Sequence, residues 1–174
     1  MSIKLNHAFE VLERTPGVVR AILDGLSDEW TSGGNEDDWA PFDIIGHLIH
    51  GELTDWIPRC EIVLRQGDDR TFTPFDRVAQ FQLSKGKSLK DLLDDFETKR
   101  SESLERLRSW KLTDVQLELK GVHPEFGDVS MSELIAAWVT HDLSHISQIV
   151  QFMARKYTDA VGPWKEYMSI LKTE

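Results

Sequence analysis

Residues 134–153 read LIAAWVTHDLSHISQIVQFM, and two histidines, His141 and His145, stand four residues apart inside that apolar run. At helical pitch, residues four apart lie one turn above each other on the same face. That face carries Leu134, Trp138, His141, His145, Gln148 and Phe152. The stripe beside it carries Ile135, Val139, Asp142, Ile146, Ile149 and Met153, leaving Ala137, Thr140, Ser144, Ser147 and Gln151 as a small, polar side. A helix apolar over most of its circumference belongs at the centre of a helical protein. Two imidazoles aimed inward need a partner, because polar groups buried alone are costly.

The rest of the chain supplies three more helical units. Leu5, Ala8, Phe9 and Leu12 form one stripe, and Val18, Val19, Ile22, Leu23 and Leu26 form another; Thr15-Pro16 between them predicts an N-cap with proline at the first helical position. Residues 27–40 read as a polar loop around Gly33-Gly34. A second unit opens at Pro41 with Ile44, Ile45, Leu48, Ile49, Leu53 and Trp56 at helical spacing, and Pro58 predicts a kink or restart before Ile62, Val63 and Leu64. Residues 66–74 read as a loop, and Phe75 to Leu83 fits either a short helix or an extended segment. Ser88, with Asp91 three positions on, resembles a capping box opening a third long helix, with Leu92, Leu93, Phe96, Leu104 and Leu107 on its buried side. Gly121, Pro124 and Gly127 make residues 111–130 a long connection with a small hairpin at HPEFG, and Ser130 or Ser132 caps the last long helix. After a break at Gly162-Pro163, Trp164 to Leu171 reads as a short terminal helix. The prediction is an all-α four-helix bundle, with short extra helices and a long loop before the last bundle helix, forming one domain over residues 1–174.

Composition narrows the function. Lys+Arg is 20 against Asp+Glu 30, a net charge of −10. That argues against a nucleic-acid surface and against anionic membranes, which both call for basic patches. One cysteine, Cys60, permits no intrachain disulfide and fits a reducing cytoplasm; it reads as a buried structural thiol. The N-terminal residues lack the pattern of a signal peptide, and no apolar run is long enough to span a membrane. Composition thus points away from nucleic acid and membrane as partners.

The pair at i and i+4 has both rings within reach of one point, and two readings stand: a bound metal, or hydrogen bonding between the rings or through water. Neutral imidazoles suit zinc, nickel, copper and iron. A third ligand would come from the facing helix, where His47 has Gly51 one turn later, leaving space above its ring. His50 lies about 60° round that helix, among Asp43, Gly46 and Thr54, a setting that fits a surface or rim histidine. The pair is not the protease motif H-E-x-x-H, because Asp142 stands where that motif has its glutamate. Asp142 could instead orient a water or an arginine. Gln148, three residues after His145, fits a supporting hydrogen bond to it; Trp138 fits a pocket wall; and His123, whose loop leads into the last helix, fits the pocket lining.

The segments WVTHDLSHISQI, WAPFDIIGHLIHGE, HPEFGDVSMSELI and AVGPWKEYMSIL together resemble the DinB/YfiT-like superfamily from Trp39 onward. The resemblance implies a four-helix bundle that holds a divalent metal, zinc or nickel, on one histidine of the second helix and an H-x-x-x-H pair of the last. Carried over, these are His47, His141 and His145. It also implies a thiol-dependent S-transferase or a hydrolase, with a low-molecular-weight thiol such as bacillithiol, mycothiol or glutathione as a candidate co-substrate, and a homodimer. The alternative is a non-catalytic bundle stabilised by its metal. No catalytic residue beyond the metal ligands is assigned by the pattern.

Overall fold

The computed structural model describes residues 3–35 and 38–172. In chain order the helices are α1 (Leu5–Leu12), α2 (Thr15–Leu23), α3 (Asp28–Thr31), α4 (Pro41–Thr54), α5 (Trp56–Arg65), α6 (Ala79–Leu83), α7 (Leu89–Ser109) and α8 (Asp114–Leu117). Strands β1 (Lys120–His123) and β2 (Gly127–Ser130) pair antiparallel and lead into α9 (Met131–Arg155). Four rods make the bundle: α1–α2, α4–α5, α7 and α9. Thus the four-helix architecture expected from the periodicity is the one observed.

Prolines decide where the first two rods break. The Thr15 hydroxyl donates back to the Val11 carbonyl at 3.3 Å, so Thr15 lies inside the first turn of α2 and Arg14 takes the N-cap position, not Thr15 as its sequence suggested. Pro16 has no N–H to offer the Leu12 carbonyl; that carbonyl instead accepts from Arg100 Nη1 at 2.9 Å. Pro58 likewise cannot bond the Thr54 carbonyl, and the rod restarts at Asp55, three residues before it (φ −110, ψ −71).

The long helices begin on reciprocal caps. Ser88 Oγ accepts from the Asp91 N–H while the Asp91 carboxylate accepts from the Ser88 N–H at 2.9 Å. Ser130, rather than Ser132, does the same with Glu133 at the start of α9. Two further segments differ from expectation. The polar loop after α2 contains the single turn α3, and the chain after residue 161 forms 3-10 turns over Gly162–Tyr167 and Ser169–Leu171 instead of an α-helix. Trp164 and Tyr167 there are 64% and 85% exposed, so no buried face supports a regular helix so short.

The core is two apolar clusters with a polar layer between them. One contains Leu12, Trp56, Cys60, Leu104, Leu107 and Trp138; the other contains Val19, Leu23, Ile44, Leu48, Leu92, Phe96 and Ile149. Between them along the rods lie Glu52, Arg100 and Asp142, all buried. Arg100 forms two bonds to Asp142, at 2.5 and 2.9 Å, and donates from Nε to Glu52 Oε1 at 2.9 Å. Trp138 Nε1 donates to the same Glu52 oxygen at 3.2 Å. Burial pushes the Glu52 carboxyl up from its ordinary value, with Arg100 opposing. No helix among the described residues is long and apolar enough to cross a membrane.

Candidate functional site

His47 on α4 and His141 and His145 on α9 turn their Nε2 atoms toward one point. His47 Nε2 lies 3.0 Å from His141 Nε2, and His145 Nε2 lies 3.1 Å from it. All three ligand-capable atoms fall within 4.8 Å of one another. His47 is buried and the other two are half-buried.

One proton at His141 Nε2 can satisfy only one of its two ring contacts. A ring nitrogen either carries one hydrogen or offers one lone pair. His141 Nε2 meets both of its neighbours, so a hydrogen bond to one leaves the other contact opposed. His145 Nδ1 faces Gln148 Oε1 at 2.9 Å, and an amide oxygen only accepts, so His145 carries its proton on Nδ1 and presents a bare lone pair at Nε2. Burial holds all three rings below their ordinary basicity. His47 is lowered to about 3, with the charges of His145, His50 and Arg77 adding to burial. His141 is lowered to about 2, with His145, His47 and Arg100 adding. For His145 the Gln148 bond and Asp142 oppose burial. Three neutral rings with their Nε2 atoms brought together are a donor set that could hold a divalent cation. Zinc bonds of about 2.0–2.1 Å at tetrahedral angles separate nitrogens by about 3.3 Å, close to the two separations at His141. Among the described residues the Nδ1 atoms of His47 and His141 are buried without a hydrogen-bond partner, so the support given to His145 is not repeated there at the other two rings.

The three rings face a cavity of about 320 Å³. Trp39 packs on His47 at 4.9 Å between centroids and lies nearly parallel to His145 at 6.4 Å. Trp56 meets His141 edge-on at 5.1 Å. Phe75 packs against His47 at 5.3 Å and against His50 at 4.7 Å. Asp55, Arg59, Arg77 and His123 complete the polar lining. Arg59 Nε lies 2.5 Å from Asp55 Oδ1, yet burial outweighs that charge and pushes the Asp55 carboxyl up to about 6. His123 Nδ1 accepts from the Glu125 N–H at 3.2 Å, and its ring stacks on Phe126 at 4.3 Å.

The structure separates the remaining sequence candidates. Trp138 does not line the cavity; it stacks behind Trp56 at 5.7 Å, because the restart at Asp55 turns Trp56 inward in front of it. Asp142 points away from the rings and holds Arg100. His50 is neither at the surface nor with the triad: it is buried beside Phe75, and burial lowers its basicity against the opposing Asp76. The space left by Gly51 is taken in part by the indole of Trp56, since a β-carbon there would stand 3.0 Å from Trp56 Nε1. Cys60 is buried and its thiol is pushed up to about 12 by burial, so it is inert. Sequence reasoning passed over Trp39, Asp55, Trp56, Arg59, Phe75 and Arg77. Of these, Asp55 and Arg59 carried a local signal, an acid and a base four residues apart on one helix face.

A family model, that of the DinB superfamily, matches residues 11–149. No curated protein matches the chain. Among solved structures, YfiT from Bacillus subtilis, described as a probable metal-dependent hydrolase with an unusual four-helix bundle topology, is 19% identical at a TM-score of 0.73, covering 87% of this chain and 86% of its own. TT2238, described as a four-helix bundle protein, is 19% identical at a TM-score of 0.57, covering 84% of this chain and 98% of its own. At such identity the likeness is one of fold.

Proposed function

The chain belongs to the DinB superfamily, and from that premise we propose that it is a metal-dependent enzyme acting on a small molecule, with His47, His141 and His145 as ligands of a divalent cation, zinc first and nickel second. The observation that carries this reading is the meeting of three Nε2 atoms whose two contacts at His141 one proton cannot both satisfy. Among the described residues no carboxylate or thiol joins them, which suits a catalytic site with a coordination position left for water or substrate. The description of YfiT as a probable metal-dependent hydrolase points the same way.

Bound there, a divalent cation supplies a Lewis acid that lowers the pKa of a water or of a low-molecular-weight thiol, which fits hydrolysis or thiol transfer. The protein's part is orientation and exclusion. Gln148 fixes the tautomer of His145 so that its lone pair faces inward. Trp39, Trp56 and Phe75 wall the rings with apolar surface and keep bulk water from them. Asp55, with its carboxyl at about 6, is the cavity group suited to exchange a proton near neutrality.

The test is metal analysis of protein purified without an affinity tag and reconstituted with zinc or nickel. One ion per chain is expected, with uptake lost in His47→Ala and in His141→Ala. Substoichiometric metal unaffected by His141→Ala would overturn the assignment.

A further inference from the structure

The charged lining of the cavity is lopsided. Asp55 is its carboxylate among the described residues, and Arg59 already occupies it at 2.5 Å. Arg77 is exposed, lines the same cavity, and forms no hydrogen bond or ion pair among the described residues. Its backbone is nonetheless fixed. Phe75 packs against both His47 and His50, and the Asp76 carboxylate accepts from the Val78 N–H at 3.0 Å, closing a turn around Arg77. In a chain with a net charge of −10, acids are plentiful, and several arginines away from the cavity hold them: Arg20 holds Asp94 and Glu97, Arg106 holds Glu61, and Arg155 holds Asp38. A guanidinium kept without an acid, at the mouth of a cavity whose own carboxylate is occupied, is a site for an anion from outside.

We propose that the cavity takes a small molecule bearing a carboxylate, which Arg77 grips, while the molecule's reacting group faces His47, His141 and His145. A planar fork of N–H donors matches a carboxylate with two parallel bonds. This deepens the metal-dependent reading above and rests on it: the histidines define the reacting end, and Arg77 defines the end that is recognised. Arg77 is thus a specificity residue, distant in sequence from every proposed metal ligand.

Two hydroxamates separate the ends, acetohydroxamate and the carboxylate-bearing succinate monohydroxamate, each titrated calorimetrically into zinc-loaded protein. The carboxylate probe is expected to bind about tenfold tighter, the worth of one charge-assisted hydrogen-bonded pair. In Arg77→Ala that ratio is expected to fall to near one, and in Arg77→Lys to be partly retained, with zinc uptake at one ion per chain in both. Equal affinities in the wild-type protein, or a preference that survives Arg77→Ala, would overturn the proposal while the metal reading stands. Failure to take up zinc in the preceding metal titration would overturn both.

Discussion

At the scale of single residues, the histidines are where sequence and structure speak most directly to each other. Helical spacing alone brings His141 and His145 onto one face, so that two of the three rings are local and visible in the sequence. His47 is separable from His50 by its neighbours, although the space beside Gly51 is shared with the indole of Trp56. The buried rings predict a pH response. His47 and His141 hold about 3 and about 2 in the folded chain against an ordinary 6.5. Between those values the unfolded chain binds protons that the folded chain refuses. Each ring therefore takes about 1.4 kcal/mol of stability per pH unit from metal-free protein as pH falls below about 6.5. Asp55 works in the opposite sense, because a carboxyl raised to about 6 stabilises in acid and loses that contribution as pH rises through its folded value. The rings predominate by number. In metal-free protein the imidazole resonances of His47 and His141 are expected to stay at their neutral shifts from pH 5 to 8; titration of either ring inside that window would refute the account.

At the scale of elements, the layer that joins the rods was not readable. Glu52, Arg100 and Asp142 sit 48 and 42 residues apart along the chain, and each has the look of an ordinary helix-surface charge when its own helix is taken by itself. Asp142 showed that it could orient an arginine, but nothing local said which one. Pro16 gives the physical reason that Arg100 also reaches α1: proline strips a partner from the Leu12 carbonyl and the guanidinium replaces it. The same kind of non-local effect moved the pocket wall from Trp138 to Trp56, since only the assembled bundle shows how far the restart at Asp55 rotates α5 against α4. Arg100→Met leaves two buried carboxylates with no cation, a loss on the order of 3–5 kcal/mol at neutral pH. Its pH dependence has a definite sign. Glu52 is already raised by burial, and without Arg100 it rises further, so stability is present in acid and lost as pH rises. Urea unfolding at pH 5 and pH 8 should find the variant closer to wild type at the lower pH; a larger deficit at pH 5 would sink this reading of the layer.

At the scale of the whole molecule, both apolar clusters and the ionic layer are built from protein groups other than the three rings. The chain is therefore expected to keep its fold when metal is removed, unlike small domains that fold only around zinc. Metal should then act as a ligand on a finished structure. At a thousandfold excess over its dissociation constant it adds about 4 kcal/mol, which for a chain of this size raises the thermal midpoint by on the order of 10 °C. Chelation followed by thermal scans with and without zinc checks both halves: an unchanged helical signal and a lowered midpoint. Collapse of the helical signal on chelation would show that the core depends on the ion.

The Arg100 layer also has a mechanical meaning for the site beside it. Asp142 is the residue next to His141, and Glu52 lies little more than one turn beyond His47, so one guanidinium clamps together the two helices that carry the three rings. The spacing of the nitrogens is then set by the frame before anything enters it. For the metal centre proposed above, such a frame is expected to act as a gauge of fixed aperture, discriminating among cations by bond length and preferred angle and not by how well each can pull a flexible loop into shape. Loosening the clamp, while leaving every ring in place, should blunt that discrimination before it weakens binding.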